Sequence, residues 1–441
     1  MSFRTRAIEA VASPQAREKH DRLTLANGHN SSVPFMRPYL GEEEIAEVVD
    51  TLRSGWLTTG PKVNRFEKEF AKAVRAPFAV AVNSCTAALH LAVEALGLRP
   101  RQAVLVPTMT FAATSEVVLY NNAIPILVDC DPVTGNMDLD DARRKMEMLW
   151  SGKLDFLGGG DIDVVGIMPV HVGGLMLDLD KVNDLASEFG LWVVEDAAHA
   201  FPSAWRKNPQ DEWRMCGENT ADVTCFSFYA NKTITTGEGG MAVTHNEILA
   251  EKIRLMSLHG LSRDAWQRYS ESGSWDYRIV APGFKYNLTD IAAAIGIHQL
   301  AAGFDMRGRR EEIAEQYGAA FSDVDEIELP TSDGNHLHSW HLYPLRLRLD
   351  KLSITRNEFI EQLKKNGIGS SVHWRPLHLH PFYSDRCRWP AGLFPNANYL
   401  WERIVSLPLF PSMSSVEIDR VVSVVRDLCR EHTKASLSLV A

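Results

Sequence analysis

Lys232 stands in the run FSFYANKTITTGEGGM (226–241), between a strand-like FSF and the glycines 237, 239 and 240. Lysine normally occupies solvated surface, so an amine placed where bulky side chains are cleared away calls for an explanation. A phosphate loop of the GxxxxGK[ST] kind needs its glycines before the lysine, and here they follow it. A Schiff-base lysine fits better. Its amine must be reachable, partly desolvated and beside room for a flat ring. EDAAHA (195–200) follows the apolar LWVV, which puts Asp196 and His199 just past a strand. Asp196 as a structural cap and His199 as a satisfied core histidine are the plain readings. A metal pair is another, although no third ligand sits at suitable spacing. An acid held against a nitrogen heterocycle also explains the motif, since pyridoxal phosphate acts as an electron sink only with its ring nitrogen protonated. In NSCTAAL (83–89) a strand runs directly into a helix. The free N–H groups there suit a phosphate at Thr86 and Ala87, and they suit an ordinary Ser/Thr cap equally well. Ser227, in FSF, is placed to reach the same phosphate.

These residues need a frame that brings them to one edge. FAVAV (78–82), AVLV (103–106), IPILV (124–128), VVGIM (164–168) and LWVV (191–194) are short, continuously apolar runs separated by helical stretches. That pattern predicts a mainly parallel sheet covered on both faces, with ligands beyond the carboxyl ends of its strands. Past about residue 300 come a charged helical stretch, MRGRREEIAEQYGAAF, then LYPLRLRL (342–349), a helix over TRNEFIEQLKKN and a strand IGSSV; a last helix starts near Ser415. The expected organisation is a polar extension over 1–33, poorly ordered or lying on the surface, a large domain over 34–300 and a smaller α+β domain over 301–441.

The 441 residues carry a formal net charge of −10, which offers no basic face for nucleic acid but leaves room for a local anion pocket. Six scattered cysteines without a CxxC pair suggest reduced thiols in a cytoplasmic protein. No stretch is long and apolar enough for a signal peptide or a membrane span.

Taken in order, RPYLGEEEIAEVVDTLRSGWLTTGP (37–61), SCTAALHLA, PTMTFAAT, MPVHVGG, VVEDAAHA, FSFYANKTITTGEGG, LHG, YNLTDIAAAIG and RPLHLHPFY (375–383) resemble the sugar aminotransferases of the DegT/DnrJ/EryC1/StrS family. The resemblance covers most of the chain. It implies an α/β, aspartate-aminotransferase-like fold of type I that uses pyridoxal 5′-phosphate. Lys232 then carries the cofactor as a Schiff base and moves the proton between cofactor and substrate carbons. Asp196 pairs with the pyridine nitrogen, His199 lies near the phenolic oxygen where many relatives have Gln, and Phe111 stacks on the ring. Thr86, Ala87 and Ser227 hold the phosphate, and Asn287 reaches it from the other subunit of a homodimer. Cys85 departs from the glycine many members have. Relatives with histidine in place of the lysine are dehydratases, so Lys232 favours amino transfer; a silent regulator of this fold is the rival reading.

The implied substrates are glutamate and a nucleotide-linked keto sugar, aminated at C4 by the look of the long segment before PGFKYN. C3 amination and cyclitol amination are the alternatives. The GWLTTGPK turn (55–62), with Thr58 and Lys62, and HWRPLHLHPFY (373–383), with His378, are expected around the sugar nucleotide. A zinc reading of His373, His378 and His380 lacks nearby thiolates and carboxylates, and no metal is expected. The charged insert at 201–219 reads as a surface loop.

Overall fold

The computed structural model describes residues 32–158, 162–261 and 278–434. The extension up to residue 31, and residues 262–277 of the segment preceding PGFKYN, lie outside the described residues. A sheet of seven strands forms the centre: β1 (Phe78–Val82), β2 (Ala103–Pro107), β3 (Ile124–Val128), β4 (Val164–Ile167), β5 (Trp192–Asp196), β8 (Val223–Ser227) and β9 (Gly240–Thr244). Their spatial order is β1-β9-β8-β5-β4-β2-β3, and every pairing is parallel except those of β9, which runs against both β1 and β8. A short β6 (Ala204–Trp205) and β7 (Arg214–Met215) stand between β5 and β8 in the chain.

Helices α1 (Glu42–Ser54), α2 (Pro61–Ala73), α3 (Cys85–Ala95), α4 (Ala113–Tyr120), α5 (Leu139–Trp150), α6 (Leu179–Phe189) and α7 (Glu247–Ser257) accompany this sheet. Local signals set their ends. Asp178 accepts the Lys181 N–H to start α6, and Gly190, at φ 66°, takes the left-handed turn that stops it. All five residues of β2 are buried because apolar side chains cover both faces of the sheet. On one side α3 packs Leu89, Leu91 and Val93 with Val104, Val106 and Val194. On another, Phe66, Phe70, Phe226 and Phe228 form an edge-to-face aromatic cluster under α2.

The next helix, α8 (Asp290–Phe321), is 32 residues long and serves both cores. Its Ala293, Ile297 and Leu300 pack with the phenylalanine cluster, while Ile313, Tyr317 and Phe321 enter a second core. The expected boundary at residue 300 therefore falls inside one helix. The second core is built on β10 (Ile327–Glu328), β12 (Tyr343–Leu347) and β13 (Ile404–Leu407), all antiparallel, with α9 (Arg356–Lys365) and α11 (Ser415–His432). Val33 belongs to it too, buried and bridged to Ile368, so this residue is packed rather than part of a loose arm. IGSSV makes only single bridges, at Ile368 and Ser371, in place of the expected strand. The stretch 377–400, with α10 (Pro395–Trp401), packs back onto the large sheet, where Leu377, Trp389 and Phe394 meet Leu105 and Ile126.

The 201–219 insert is a hairpin whose β6 pairs with both β7 and β11 (His336–Leu337). Arg214 lies over Trp205 at 4.6 Å and Arg206 over Trp213 at 4.3 Å, and Arg214 also pairs with Asp180 of α6 at 2.7 Å, so these cations are engaged within the fold. No disulfide forms among the described residues. No helix among the described residues is long and apolar enough to cross a membrane.

Candidate active site

Asp196 is the last residue of β5 and Ser227 the last of neighbouring β8, with Asp196 level with Cys225. Lys232 lies in the turn that carries the chain from β8 to β9. That turn comes close to the start of α3. A Cβ on Gly240 would lie 2.5 Å from the Ser84 carbonyl, so only glycine lets the two backbones approach there. Parallel strands put their carboxyl ends on one edge, and reversal of β9 brings its first residue to that same edge. The sheet thus gathers α3's N-terminus, Ser227, Lys232 and Asp196 together.

Asp196 is buried, 5% exposed, and both of its oxygens are engaged. Oδ2 accepts from the Thr114 hydroxyl at 2.7 Å and Oδ1 from the Ala198 N–H at 3.1 Å. Burial raises its pKa above the ordinary aspartate range, against the pull of these two hydrogen bonds and of the Lys232 charge. Lys232 is half-buried, and desolvation brings its pKa down to about 8, with Cys85 and Asp196 acting in the opposite sense. That value makes it a usable base and acid near neutral pH.

His199 is buried, and its Nδ1 accepts the Gly173 N–H at 3.2 Å. The proton of the neutral ring is therefore on Nε2, which remains a donor. Burial, then the charges of Lys232 and His373, hold its pKa well below the ordinary histidine range. Trp374 stacks on it at 5.1 Å and His341 lies 4.2 Å away. Gly174 makes this approach possible, because a Cβ there would strike the Ser339 hydroxyl, which is bonded to the His199 carbonyl. Phe111 follows β2 and is 65% exposed, a large flat ring open to solvent. The Thr86 hydroxyl makes no hydrogen bond among the described residues. The Ala87 N–H is already given to Ser84 Oγ at 3.1 Å, so here the capping reading and the phosphate reading compete for one donor. Ser227 Oγ accepts from the Tyr229 N–H at 3.3 Å.

The other expected contacts lie elsewhere. Asn287 Nδ2 donates to Thr59 Oγ1 at 2.6 Å and its Oδ1 accepts from Lys285, so its amide faces the 55–62 turn and not Thr86 or Ser227. Thr58 is exposed on that turn, its carbonyl accepting the Asp290 N–H. Lys62 spends its ammonium on Glu47 at 2.7 Å and Asp50 at 2.8 Å. His378 is 1% exposed and has both ring nitrogens in use, with Nδ1 2.8 Å from Thr108 Oγ1 and Nε2 2.9 Å from Asn398 Oδ1. Burial takes its pKa down to about 4, so it is a neutral clamp between 377–400 and the end of β2. This corrects the expected sugar contact, since an imidazole without a free nitrogen or open surface has nothing to offer a ligand. His373, similarly, is bonded to Ser406.

One trio of possible metal ligands occurs among the described residues: His171, Glu195 and Cys216, all buried. His171 Nδ1 accepts the Leu177 N–H, which leaves the proton on the Nε2 that faces Glu195 at 3.6 Å. A ligating nitrogen must be unprotonated, so the arrangement fits a buried polar pair better than a metal. Thr114 closes the PTMTFAAT run, yet nothing along the chain marks it as the partner of Asp196, and His341 reaches His199 from more than a hundred positions away.

The model of the DegT/DnrJ/EryC1/StrS aminotransferase family matches residues 38–426. The chain belongs to this family. It is 44% identical over 402 residues to the uncharacterized protein MJ1066 of Methanocaldococcus jannaschii, covering 91% of this chain and 99% of that one. It is equally 44% identical over 402 residues to the spore coat polysaccharide biosynthesis protein SpsC of Bacillus subtilis, covering 91% and 98%. Among solved structures it is similar to Spr1654 of Streptococcus pneumoniae, described as a sugar aminotransferase, with TM-score 0.79 and 31% identity over 91% of this chain and 98% of that one. Spr1654 is known in PLP, PMP and apo forms. The chain's large, mainly parallel sheet is that of the PLP-dependent sugar aminotransferases of fold type I.

Proposed function

We propose that this aminotransferase moves an amino group from glutamate to the keto carbon, C4, of a nucleotide-linked keto sugar, with pyridoxal 5′-phosphate as cofactor. The observation that carries the reading is the meeting of a lysine with pKa about 8, a buried aspartate and a neutral Nε2–H histidine at one strand edge. Those groups fit a flat, phosphate-bearing pyridine ring, and the exposed Phe111 leaves a face for it. When bound, the cofactor supplies an electron sink that depends on a protonated ring nitrogen. Asp196 holds that proton, and its burial strengthens the pairing. Thr86, Ala87 and Ser227 would hold the phosphate at the positive end of α3, the Ala87 N–H passing to it from the Ser84 cap. His199 would donate from Nε2 to the cofactor's phenolic oxygen. Lys232 accepts a proton from the donor's carbon and later returns one to the sugar carbon.

A homodimer with shared sites follows from the same reading. Leu40, Ile45, Val49, Leu52 and Leu57 are all exposed, an apolar stripe on and beside α1 that continues to the Thr58 turn and Asn287. A second copy covering the stripe would bring Asn287 to its neighbour's phosphate. The name of SpsC, in polysaccharide biosynthesis, supports a sugar acceptor. Product analysis across nucleotide keto sugars, with glutamate as donor, tests the proposal. The protein should absorb in the visible, bleach on adding glutamate and yield a 4-amino sugar. A protein that bleaches but aminates only C3-keto sugars or cyclitols would overturn the acceptor; one that never bleaches would overturn the transamination.

A further inference from the structure

Asp196 Oδ2 takes its hydrogen bond from Thr114 Oγ1 at 2.7 Å, and Thr114 Oγ1 lies 2.8 Å from Thr110 Oγ1. All three side chains are buried. An ionised carboxylate only accepts, so the single hydroxyl proton of Thr114 must point to Asp196. Thr114 then accepts from Thr110, and the chain of hydroxyls runs Thr110 to Thr114 to Asp196. We propose that Thr114 is a positioning residue for Asp196, its hydroxyl keeping the carboxylate ionised and in one orientation, with Thr110 fixing the direction of the relay. This rests on the reading that Asp196 serves the ring nitrogen.

The placement also ties two parts of the site together. Thr110 and Thr114 bracket Phe111, so one short segment orients both the stacking ring and the acid. Without the Thr114 hydroxyl, Asp196 keeps a single donor, the Ala198 N–H, in a site that already disfavours its charge. The titratable groups facing it are Lys232, His171, Cys85 and Cys225. None of them donates a hydrogen bond to Oδ2.

Thr114→Val keeps the shape and removes the donor, whereas Thr114→Ser keeps the donor. Spectroscopic titration of the apoprotein with pyridoxal phosphate, between pH 5 and 8, reads the difference. Thr114→Val should raise the cofactor Kd about 10- to 100-fold, the weight of a hydrogen bond to a buried charge. A higher aspartate pKa makes affinity fall off at a higher pH as the solution is acidified, by about one unit for each tenfold. Thr114→Ser should stay within about threefold of wild type, and Thr110→Val should fall between the two. Unchanged affinity and spectrum in Thr114→Val, or equal loss in Thr114→Ser, overturns the proposal. If Thr114→Val fails to fold, Thr110→Val carries the test, and no pH shift there overturns it. Asp196→Asn runs alongside. Should it leave affinity and spectrum unchanged, the role of Asp196 falls and the inference with it. If it is damaging while Thr114→Val is silent, only the role of Thr114 falls.

Discussion

At the strand ends Asp196, Thr114 and His199 have hydrogen bonds supplied by their own chain, and each side chain is buried in one orientation. Beside that edge, where Asn287 bridges to Val82 at the end of β1, the 55–62 turn and the 285–290 segment spend polar groups on one another and adjoin an exposed apolar stripe. The first region is preorganised for a ligand whose shape and charge never vary. The second presents apolar side chains to solvent. Asp290 shows the contrast well: it accepts the Lys62 and Val63 N–H groups and so starts α2, a structural task in a stretch that otherwise faces outward.

The largest expected effect strikes the finished region. Lys232→Ala should lose at least about 10²–10⁴ in rate through proton transfer alone. It should retain the wild-type circular dichroism, because the change removes an amine and little core volume. Substantial transamination by this variant would mean that the strand-end site is not the reactive one.

Mixing tests whether the second region really is unfinished. Lys232→Ala and Asn287→Ala should each be inactive alone, and co-expression should give hybrids with one intact site and one doubly defective site. Random pairing then restores about a quarter of wild-type activity. Full activity of Asn287→Ala alone, or an active monomer in sedimentation, would show that one chain suffices.

His378 sharpens the boundary between the two regions. With both nitrogens bonded internally, His378→Ala should cost about 2–4 kcal/mol of stability, from unpaired polar groups and a cavity. Thermal melting would fall while the KM for the sugar nucleotide stays near wild type in the surviving folded enzyme. A raised KM without loss of stability would return His378 to the acceptor site.

The smallest effect is one of pH. Capture of pyridoxal phosphate needs the neutral amine of Lys232. A group lowered to about 8 gains that form about tenfold per unit below pH 8 and then levels off. Stopped-flow absorbance of the apoprotein should show this plateau. A rate that still climbs through pH 10 would mean an ordinary, solvated lysine.

Much of this protein was legible along the chain because the relevant signals are local. Apolar runs of strand length and glycines where the backbone must approach closely act within a few residues, so the elements, the strand-end position of Asp196 and the turn that holds Lys232 could be read directly. The family motifs added roles to those positions. Tertiary structure alone decided the rest, since hydrogen-bond partners and burial depend on which distant segments meet. It turned His378 from a candidate ligand contact into a clamp by seating Thr108 and Asn398 at its two nitrogens. It joined Thr114 to Asp196 across 82 positions and His341 to His199, and carried α8 through a boundary that composition had drawn at residue 300. Each of these is a contact between residues far apart in sequence, and no spacing rule along one chain encodes them.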